Sequence, residues 1–443
     1  MELGEETLLG TTTIQVEPSP RQAEWQAATT GGDDALLSAL LASEAPGRAH
    51  FELMAQVNGL YRACQLAGMP PAAVRPKIER LLGSLQQVRA GLGPTEQRDL
   101  DLGMLRWIRR ASALSVVIGA GVTMDAGGPS WPALVRQLLV RALDRGHEIS
   151  EMRPDPGNTR DEATFRRHVV DVERFDAAQE AEARGILAAI DAGTADTEAL
   201  MRGAQLCGDL MGQHLFTDLT DVLYDGGKRQ PGAIHRAIAE LAREQLVPDR
   251  PPHRFPGWEA IISYNFDDLQ GEAIDALGLP RATWAMRGER MAGDPNAAAR
   301  AAGQDSVYQP IYHLHGYTPR RLFNITHVRF VFATSQYLAF YADDPTHVIT
   351  HVLHEHLAHP IKYALYVGCS FTDERMNDLL RQAADVLPGR WHYALLRWPG
   401  GQTYARAGAS DLEAAAAAYL RFGVQPIWFE RFDEIPETIR ALA

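Results

Sequence analysis

The sequence has few cysteines and no long apolar segment. Its three cysteines, Cys64, Cys207 and Cys369, lie far apart in a chain of 443 residues, so they predict neither a disulfide framework nor a Cys-x-x-Cys zinc site. The longest apolar run, residues 114–122, is much shorter than the roughly 18 residues that a membrane-spanning helix needs. These absences exclude small secreted scaffolds and membrane spans, and they predict a protein of a reducing compartment.

The chain also lacks an excess of positive charge and a secretory start. It carries 43 Lys and Arg against 56 Asp and Glu, a net charge of −13. This balance disfavours a broad nucleic-acid-binding surface, because such a surface must neutralise phosphates. Residues 1–6 are acidic and lack the basic start and apolar core of a signal peptide. We therefore expect a cytoplasmic protein with no direct nucleic-acid partner and no membrane partner.

Short apolar runs alternate with helical periodicity along most of the chain. A continuous apolar run that ends at glycine or a polar residue is typical of a buried parallel strand. Runs of this kind, or with alternating apolar residues, are 113–118, 258–264, 311–314, 328–332, 363–367, 393–397 and 425–429. Strands that alternate with helices predict an α/β fold with a doubly wound, mostly parallel sheet of the Rossmann-like type.

The predicted domain organisation has three parts. Residues 1–32 show little periodicity and are predicted to form a flexible N-terminal arm. Helical spacing predicts an N-terminal helical region over 33–95. Residues 96–443 hold all the predicted strands, with a helical insertion predicted at about 150–230, where helical stretches occur without a convincing strand.

A glycine turn, Gly119-Ala120-Gly121, ends the first predicted strand and is followed by Thr123. Glycines allow a positive φ and let backbone amides approach a pyrophosphate closely. We therefore predict that these residues bind the phosphates of a dinucleotide. The fingerprint of hydride-transfer enzymes is incomplete, because Met124 stands where its third glycine should fall. A tight turn without a ligand is the alternative.

Asn265 and Asp267 follow the second predicted strand directly. A carboxamide donates and accepts at once, so Asn265 suits the orientation of a ribose hydroxyl or a water. Asp267 can accept a hydrogen bond from a carboxamide group. The alternative is that Asp267 or Asp268 caps the helix that begins at Leu269. For Asp268 we favour the cap.

His315, Gly368 and Ser370 complete the set of candidate residues. His315 precedes Gly316 at the end of a strand, and an imidazole can take a proton from a hydroxyl or a water at neutral pH. A hydrogen-bonded structural histidine is the alternative. Gly368 and Ser370 follow another strand. Ligands bind at the carboxyl edge of parallel sheets, so these groups are predicted to converge there.

From about Gln97 onward, the four motifs in this order resemble the Sir2 (sirtuin-like) superfamily, and in particular its NAD-hydrolase branch in bacterial anti-phage defence. The resemblance implies a Sir2/Rossmann-like fold and NAD+ as the substrate. It implies catalytic roles for Asn265 and His315. The residues it assigns to NAD+ binding are Gly119, Ala120, Gly121, Thr123, Asp267, Gly368 and Ser370.

Two departures distinguish the chain from the protein deacetylases of that superfamily. Those enzymes carry a four-cysteine zinc ribbon after the His-Gly motif, but residues 317–360 contain no cysteine. They also carry a Phe-Arg pair where this chain has Ser130-Trp131. The resemblance therefore implies an NAD+ glycohydrolase that releases nicotinamide and ADP-ribose, as a regulated effector of antiviral defence by NAD depletion. The alternatives are an NAD-dependent protein deacylase and a non-catalytic NAD or ADP-ribose sensor or assembly subunit.

A histidine-rich stretch does not change this expectation. It contains His347, His351, His354, His356 and His359. A zinc-protease helix needs histidines four apart around its glutamate, but position 358 is alanine. We expect a solvated or partner-facing helix and no metal. A metal bound by His347 and His351, which share a helical face, is the alternative.

The resemblance also implies partners. Relatives of this branch form homo-oligomers, and some work with an ATPase or an Argonaute-like protein. We expect the helical region before residue 92 and the insertion at about 150–230 to serve assembly or gating, by analogy with such proteins.

Overall fold

A computed structural model describes most of the residues after 75. The described residues are 56–57, 59–60, 75–110, 114–151, 176–211, 214–243, 257–279, 281–285, 309–320, 332, 352–359, 362–372, 374–386 and 392–443. The arm predicted at 1–32 lies outside them, as does most of the helical region predicted at 33–95. The domain boundaries given above stay predictions.

Seven parallel strands form one sheet in the described part of the chain, in the order β3-β4-β2-β1-β5-β6-β7. The strands are β1 (Leu114–Ile118), β2 (Ile261–Ser263), β3 (Arg281–Ala285), β4 (Gln309–His313), β5 (Tyr363–Val367), β6 (His392–Arg397) and β7 (Val424–Phe429). The chain runs from β1 to strands on one side and returns to β5 on the other side. This arrangement confirms the predicted doubly wound α/β fold, and it puts the topological switch between β1 and β5.

The described α-helices cover both faces of the sheet. They are α1 (Arg75–Ala90), α2 (Pro94–Arg110), α3 (Ala120–Asp125), α4 (Trp131–Glu151), α5 (Ala177–Asp191), α6 (Thr197–Met211), α7 (His214–Tyr224), α8 (Ala233–Arg243), α9 (Leu269–Asp275), α10 (Glu374–Val386), α11 (Ala409–Leu420) and α12 (Glu434–Arg440). A π-helix (Leu353–Leu357) precedes β5, and a 3-10 turn (Tyr404–Arg406) precedes α11.

The apolar residues of β1 divide between two cores. Val116 and Ile118 face a core built with α2, α8 and α12, whereas Val117 faces a core built with α10 and α11. Every residue of β1 is buried. Burial on both faces explains why this strand is a continuous apolar run in the sequence.

Helices α4 to α7 share a third core that reaches the sheet edge. No strand interrupts the described part of 150–230, in agreement with the helical insertion expected there. Phe266 and Leu269, from the segment after β2, pack into this core together with Phe332. The helical layer therefore contacts the segment that carries Asn265.

One observed strand has no predicted counterpart, and one predicted strand lies mostly outside the described residues. β3 was not predicted, because Arg281–Ala285 has no continuous apolar run and lies at the edge of the sheet. Apart from Phe332, the strand predicted at 328–332 lies outside the described residues. Phe332 itself is not part of a strand.

A buried ion pair joins α1 to α2. Arg89 donates through two nitrogens to the two carboxylate oxygens of Asp101, both at 2.6 Å. The Asp101 side chain is 2% exposed and that of Arg89 is 12% exposed. Burial disfavours the charge on Arg89, but the charge and hydrogen bonds of Asp101 outweigh it and raise the pKa of Arg89.

In the part of the chain that the structure describes, no helix has both the length and the apolar composition for a bilayer crossing.

Candidate active site

The four motifs lie side by side at the carboxyl edge of the sheet. They follow β4, β2, β1 and β5, which are adjacent strands in that order. Ser263 at the end of β2 is paired with His313 at the end of β4. Asn265 and His315 each stand two residues beyond this pair. Beyond this pair the register shifts by one residue, because the next bridge joins Asp267 to Thr318. The amide and the imidazole therefore lie past the strand ends, at the same edge of the sheet.

Asn265 is a buried residue that spans from β2 to β1. Its Nδ2 donates to the carbonyl oxygen of Gly119 at 2.9 Å, and its main-chain N donates to Ser263 Oγ at 3.1 Å. Because a carbonyl oxygen only accepts, the nitrogen of the carboxamide must face Gly119. The Oδ1 oxygen then points away from Gly119, where it can accept a hydrogen bond from a water or a hydroxyl.

The imidazole of His315 contacts the rings of Tyr264 and Phe266, the two residues that flank Asn265 in the sequence. Its imidazole meets the Tyr264 ring edge-to-face, with ring centroids 4.9 Å apart and an interplanar angle of 84°. The Phe266 ring is 6.5 Å away, centroid to centroid. His315 is partly exposed, whereas Phe266 is buried. These rings restrict the orientation of the imidazole, which stays partly exposed.

Asp267 and Thr123 form a buried pair that joins the glycine turn to the Asn265 segment. Thr123 Oγ1 donates to Asp267 Oδ2 at 2.5 Å, and the Leu269 amide donates to Asp267 Oδ1 at 3.1 Å. Thr123 and Asp267 are each 3% exposed. Asp267 thus accepts a hydrogen bond from the first residue of α9, which agrees with the alternative that this side chain caps the helix. NAD+ binding by these two side chains stays a prediction.

Asp268 does not cap α9 through its side chain, so the interpretation favoured for it is wrong. The carboxylate instead receives two hydrogen bonds from Arg281, at 2.8 and 2.9 Å, and one from the Tyr317 hydroxyl at 2.9 Å. Arg281 comes from β3, the strand that the sequence pattern did not reveal. A paired hydrogen bond from a guanidinium stabilises a carboxylate more than a hydrogen bond from a single backbone amide does.

The glycine turn packs against the segment after β5. Neither Gly119 (φ −113°) nor Gly121 adopts a positive φ, so the conformational reason predicted for these glycines is wrong. A Cβ atom on Gly119 would lie 2.6 Å from the carbonyl oxygen of Gly368, and one on Gly121 would lie 2.8 Å from the Gly368 Cα. Glycine is required here because two backbones approach closely, and at Gly368 because φ is +66°.

Hydrogen bonds also connect the two segments. The amides of Gly119 and Gly121 donate to the carbonyls of Val367 and Gly368, at 3.0 and 2.9 Å. These two amides are therefore already paired within the protein. The neighbouring Ala120 is exposed at the start of α3. Phosphate binding at this turn stays a prediction.

Alanine at Gly119 should lower the free energy of unfolding by about 1–3 kcal/mol, because the new Cβ displaces the Gly368 backbone. The matched control is Gly185→Ala in α5, where the added Cβ meets nothing within 4 Å. There the change should stabilise the protein by up to about 1 kcal/mol, since alanine favours helix over glycine. Denaturant unfolding of both variants measures the difference. Equal midpoints would contradict the close approach of the two segments.

The segment after β5 has an unusual backbone. Phe371 adopts a φ of 56°, uncommon for a residue with a side chain, and Asn377 Nδ2 donates to its carbonyl at 2.7 Å. Ser370 is exposed, and its hydroxyl lies 2.8 Å from that of Thr372. These contacts shape the loop that carries Gly368 and Ser370. Ligand binding by Gly368 and Ser370 stays a prediction.

Tyr224 is a site residue that the sequence analysis missed. Its hydroxyl accepts from the Asp268 amide at 2.7 Å and donates to the Thr318 carbonyl at 2.6 Å. It therefore joins the Asn265 segment to the His315 segment. Tyr224 is the last residue of α7, far away in the sequence, so no local signal marks it.

The histidine-rich stretch lies elsewhere. His354 is exposed on the π-helix, whereas His356 is buried with its Nδ1 3.3 Å from Ser115 Oγ. His347 and His351 lie outside the described residues. Among the residues that the structure describes, no group of three or more potential metal ligands occurs.

Comparison with known families agrees with this geometry. Residues 259–419 match the family model described as a SIR2-like domain. The match contains Asn265, His315 and Gly368, and it begins after the glycine turn. This part of the chain is Sir2-like, as predicted, and Sir2-like domains use NAD+. None of the curated proteins matches the chain.

Proposed function

We propose that this chain, which carries a SIR2-like domain, is an NAD+ glycohydrolase that converts NAD+ and water to nicotinamide and ADP-ribose. The observation that carries the proposal is the placement of Asn265 and His315 two residues beyond a registered pair on neighbouring strands. An amide oriented by Gly119 and a partly exposed imidazole both lie at this edge of the sheet, and the proposal places the reacting ribose between them. In the proposed reaction, the amide orients the water and the imidazole serves as the base.

The reaction breaks the bond between the nicotinamide nitrogen and C1′ of the ribose, and forms a bond from C1′ to a water oxygen. The bonding electrons leave with nicotinamide, which becomes neutral. Asn265 Oδ1 would accept a hydrogen bond from the attacking water and so orient it. His315 would act as the base through a ribose hydroxyl, and the proton of the water would finally pass to solvent. General base catalysis of this kind contributes about 100- to 10,000-fold.

Hydrolysis fits this chain better than protein deacylation. The zinc ribbon of the deacetylases needs four cysteines, and the segment 317–360 after His315 has none. A non-catalytic sensor is the second alternative. It would need to bind NAD+ or ADP-ribose, but it would not need an amide and an imidazole at the same edge of the sheet.

Incubation of the purified chain with NAD+, followed by chromatographic separation of the products, tests the proposal. We expect nicotinamide and ADP-ribose in equal amounts without an acylated peptide. Release of nicotinamide only when an acyl-lysine peptide is present would favour the deacylase. Binding of NAD+ without any product, for the chain alone and in every assembly it forms, would favour the sensor.

We also propose that the activity is regulated, because uncontrolled hydrolysis would deplete the NAD+ of the cell that makes it. The support is the contact between the helical layer and the site: Phe266 packs in the core of α4 to α7, and Tyr224 of α7 bonds both segments of the site. Assembly as a homo-oligomer, or with a partner defence protein, could therefore move catalytic groups. A role in cytoplasmic antiviral defence is part of this proposal. Mass measurement in solution, beside the NAD+ assay, tests whether turnover follows assembly.

A further inference from the structure

His313 is a buried histidine beside the site to which the proposed reaction gives no role. Its side chain is 1% exposed at the end of β4. Its Nδ1 lies 3.1 Å from the main-chain carbonyl oxygen of Asn265. Because that oxygen only accepts, Nδ1 carries a proton and donates it. Nε2 has no hydrogen-bond partner among the described residues.

The surroundings of His313 keep its ring neutral. Burial lowers the pKa of His313, although the negative charges of Asp268 and Asp267 act in the opposite direction. The Tyr317 ring covers the imidazole, with centroids 4.7 Å apart. A neutral imidazole has one N–H group, so the single donor of His313 is committed to Asn265.

Four hydrogen bonds together determine where the Asn265 carboxamide lies. The main-chain N donates to Ser263 Oγ, and the main-chain oxygen accepts from His313 Nδ1 at 3.1 Å and from Ser263 Oγ at 3.3 Å. Nδ2 donates to Gly119 and sets the side-chain orientation. Loss of the His313 contact leaves the carbonyl with only the longer bond from Ser263, so the peptide plane can rotate and shift the carboxamide.

We propose that His313 is a positioning residue for Asn265, acting through its Nδ1–H group on the main-chain carbonyl. The inference rests on the proposed function, since it concerns the amide that orients the attacking water. His313 touches neither the water nor NAD+ in this scheme. It sets the position of the group that does.

Three variants separate the Nδ1 contact from the bulk of the ring. In asparagine the amide nitrogen is bonded to Cγ, as Nδ1 is in histidine, whereas in glutamine it lies one bond further out. His313→Asn should retain most of the turnover. His313→Gln and His313→Leu should lower kcat by about 100-fold with little change in KM, because a displacement near 1 Å costs that much. Equal kcat values for the asparagine and glutamine variants would overturn the inference.

The controls keep this inference separate from the proposed function. Denaturant unfolding shows whether each variant is folded, and wild-type protein and His315→Ala are assayed in parallel. Absence of turnover in the wild type would count against the glycohydrolase, not against His313. In that event crystal structures decide: the contact from Asn265 Nδ2 to Gly119 O should persist in His313→Asn and be lost in His313→Leu. Persistence in the leucine variant would overturn the inference whatever the activity.

Discussion

Alanine in place of His315 should lower the rate of NAD+ hydrolysis by about 100- to 10,000-fold, the usual contribution of a general base. The imidazole is partly exposed, and the Tyr264 ring contacts it edge-to-face beside the Asn265 segment. Its removal takes away the group that accepts the proton but leaves the sheet and the three cores intact. We therefore expect kcat to fall while the midpoint of unfolding stays close to that of the wild type.

Asn265→Ala should produce a loss of similar size for a different reason. The variant loses the oxygen that would orient the water and also the hydrogen bond from Nδ2 to Gly119. The second loss should lower the free energy of unfolding by about 0.5–1.5 kcal/mol, the net value of one such bond. The two variants thus differ in stability, although both lose turnover.

The control for these measurements is His354→Ala. His354 is an exposed histidine on the π-helix, so its replacement should leave both kcat and stability unchanged. Product formation is followed by chromatography over a range of NAD+ concentrations. Wild-type kcat in either His315→Ala or Asn265→Ala would refute the catalytic assignment of that residue.

Replacing Asp101 by alanine should have the largest effect on stability, lowering the free energy of unfolding by about 3–5 kcal/mol. The change leaves the Arg89 guanidinium, which is 12% exposed, without the carboxylate that compensates its burial. Two hydrogen bonds of 2.6 Å are lost with the charge. The cost comes mainly from the uncompensated charge, since a well-packed apolar pair can replace a buried ion pair at little cost.

An exposed ion pair on the same fold provides the comparison. Glu240 of α8 pairs with Arg440 of α12 at 2.6 Å, and both side chains are 45% exposed. Glu240→Ala should cost no more than about 1 kcal/mol, because solvent screens such pairs. The double replacement Arg89→Met with Asp101→Leu should recover much of the loss seen in Asp101→Ala. Denaturant unfolding of all three proteins checks this order, and equal losses for Asp101→Ala and Glu240→Ala would contradict it.

The strands at the centre of the sheet were predictable, and the edge strand was not. β1 and β5 are buried on both faces, which requires continuous apolar residues and leaves a clear pattern. β3 lies at the edge and contains Arg281, whose charge is held by Asp268 and Asp275. Such a strand is stabilised by its neighbour and by ion pairs from other segments, and neither leaves a local pattern.

The candidate site divides in the same way. Asn265, His315 and Gly368 follow recognisable strands, so their meeting at one edge follows from parallel pairing. The predicted reason for Gly119, a positive φ, is wrong. Glycine is needed there because the backbone of Gly368, more than 200 residues away in the sequence, approaches it closely. Tyr224 and His313 also bond to residues of other segments, Thr318 and Asn265, and no local sequence pattern identifies those partners.

Residue order was therefore enough to predict the class of fold, the Sir2-like character of residues 259–419 and the edge at which the polar groups gather, because local patterns of apolar residues and glycine record burial and strand ends. The three-dimensional arrangement was needed to show what each polar group does: Asp268 pairs with Arg281, Asp267 with Thr123, and His313 with the Asn265 carbonyl. A hydrogen bond depends on distances of a few ångströms between atoms. The chain sets those distances only after distant segments have packed together.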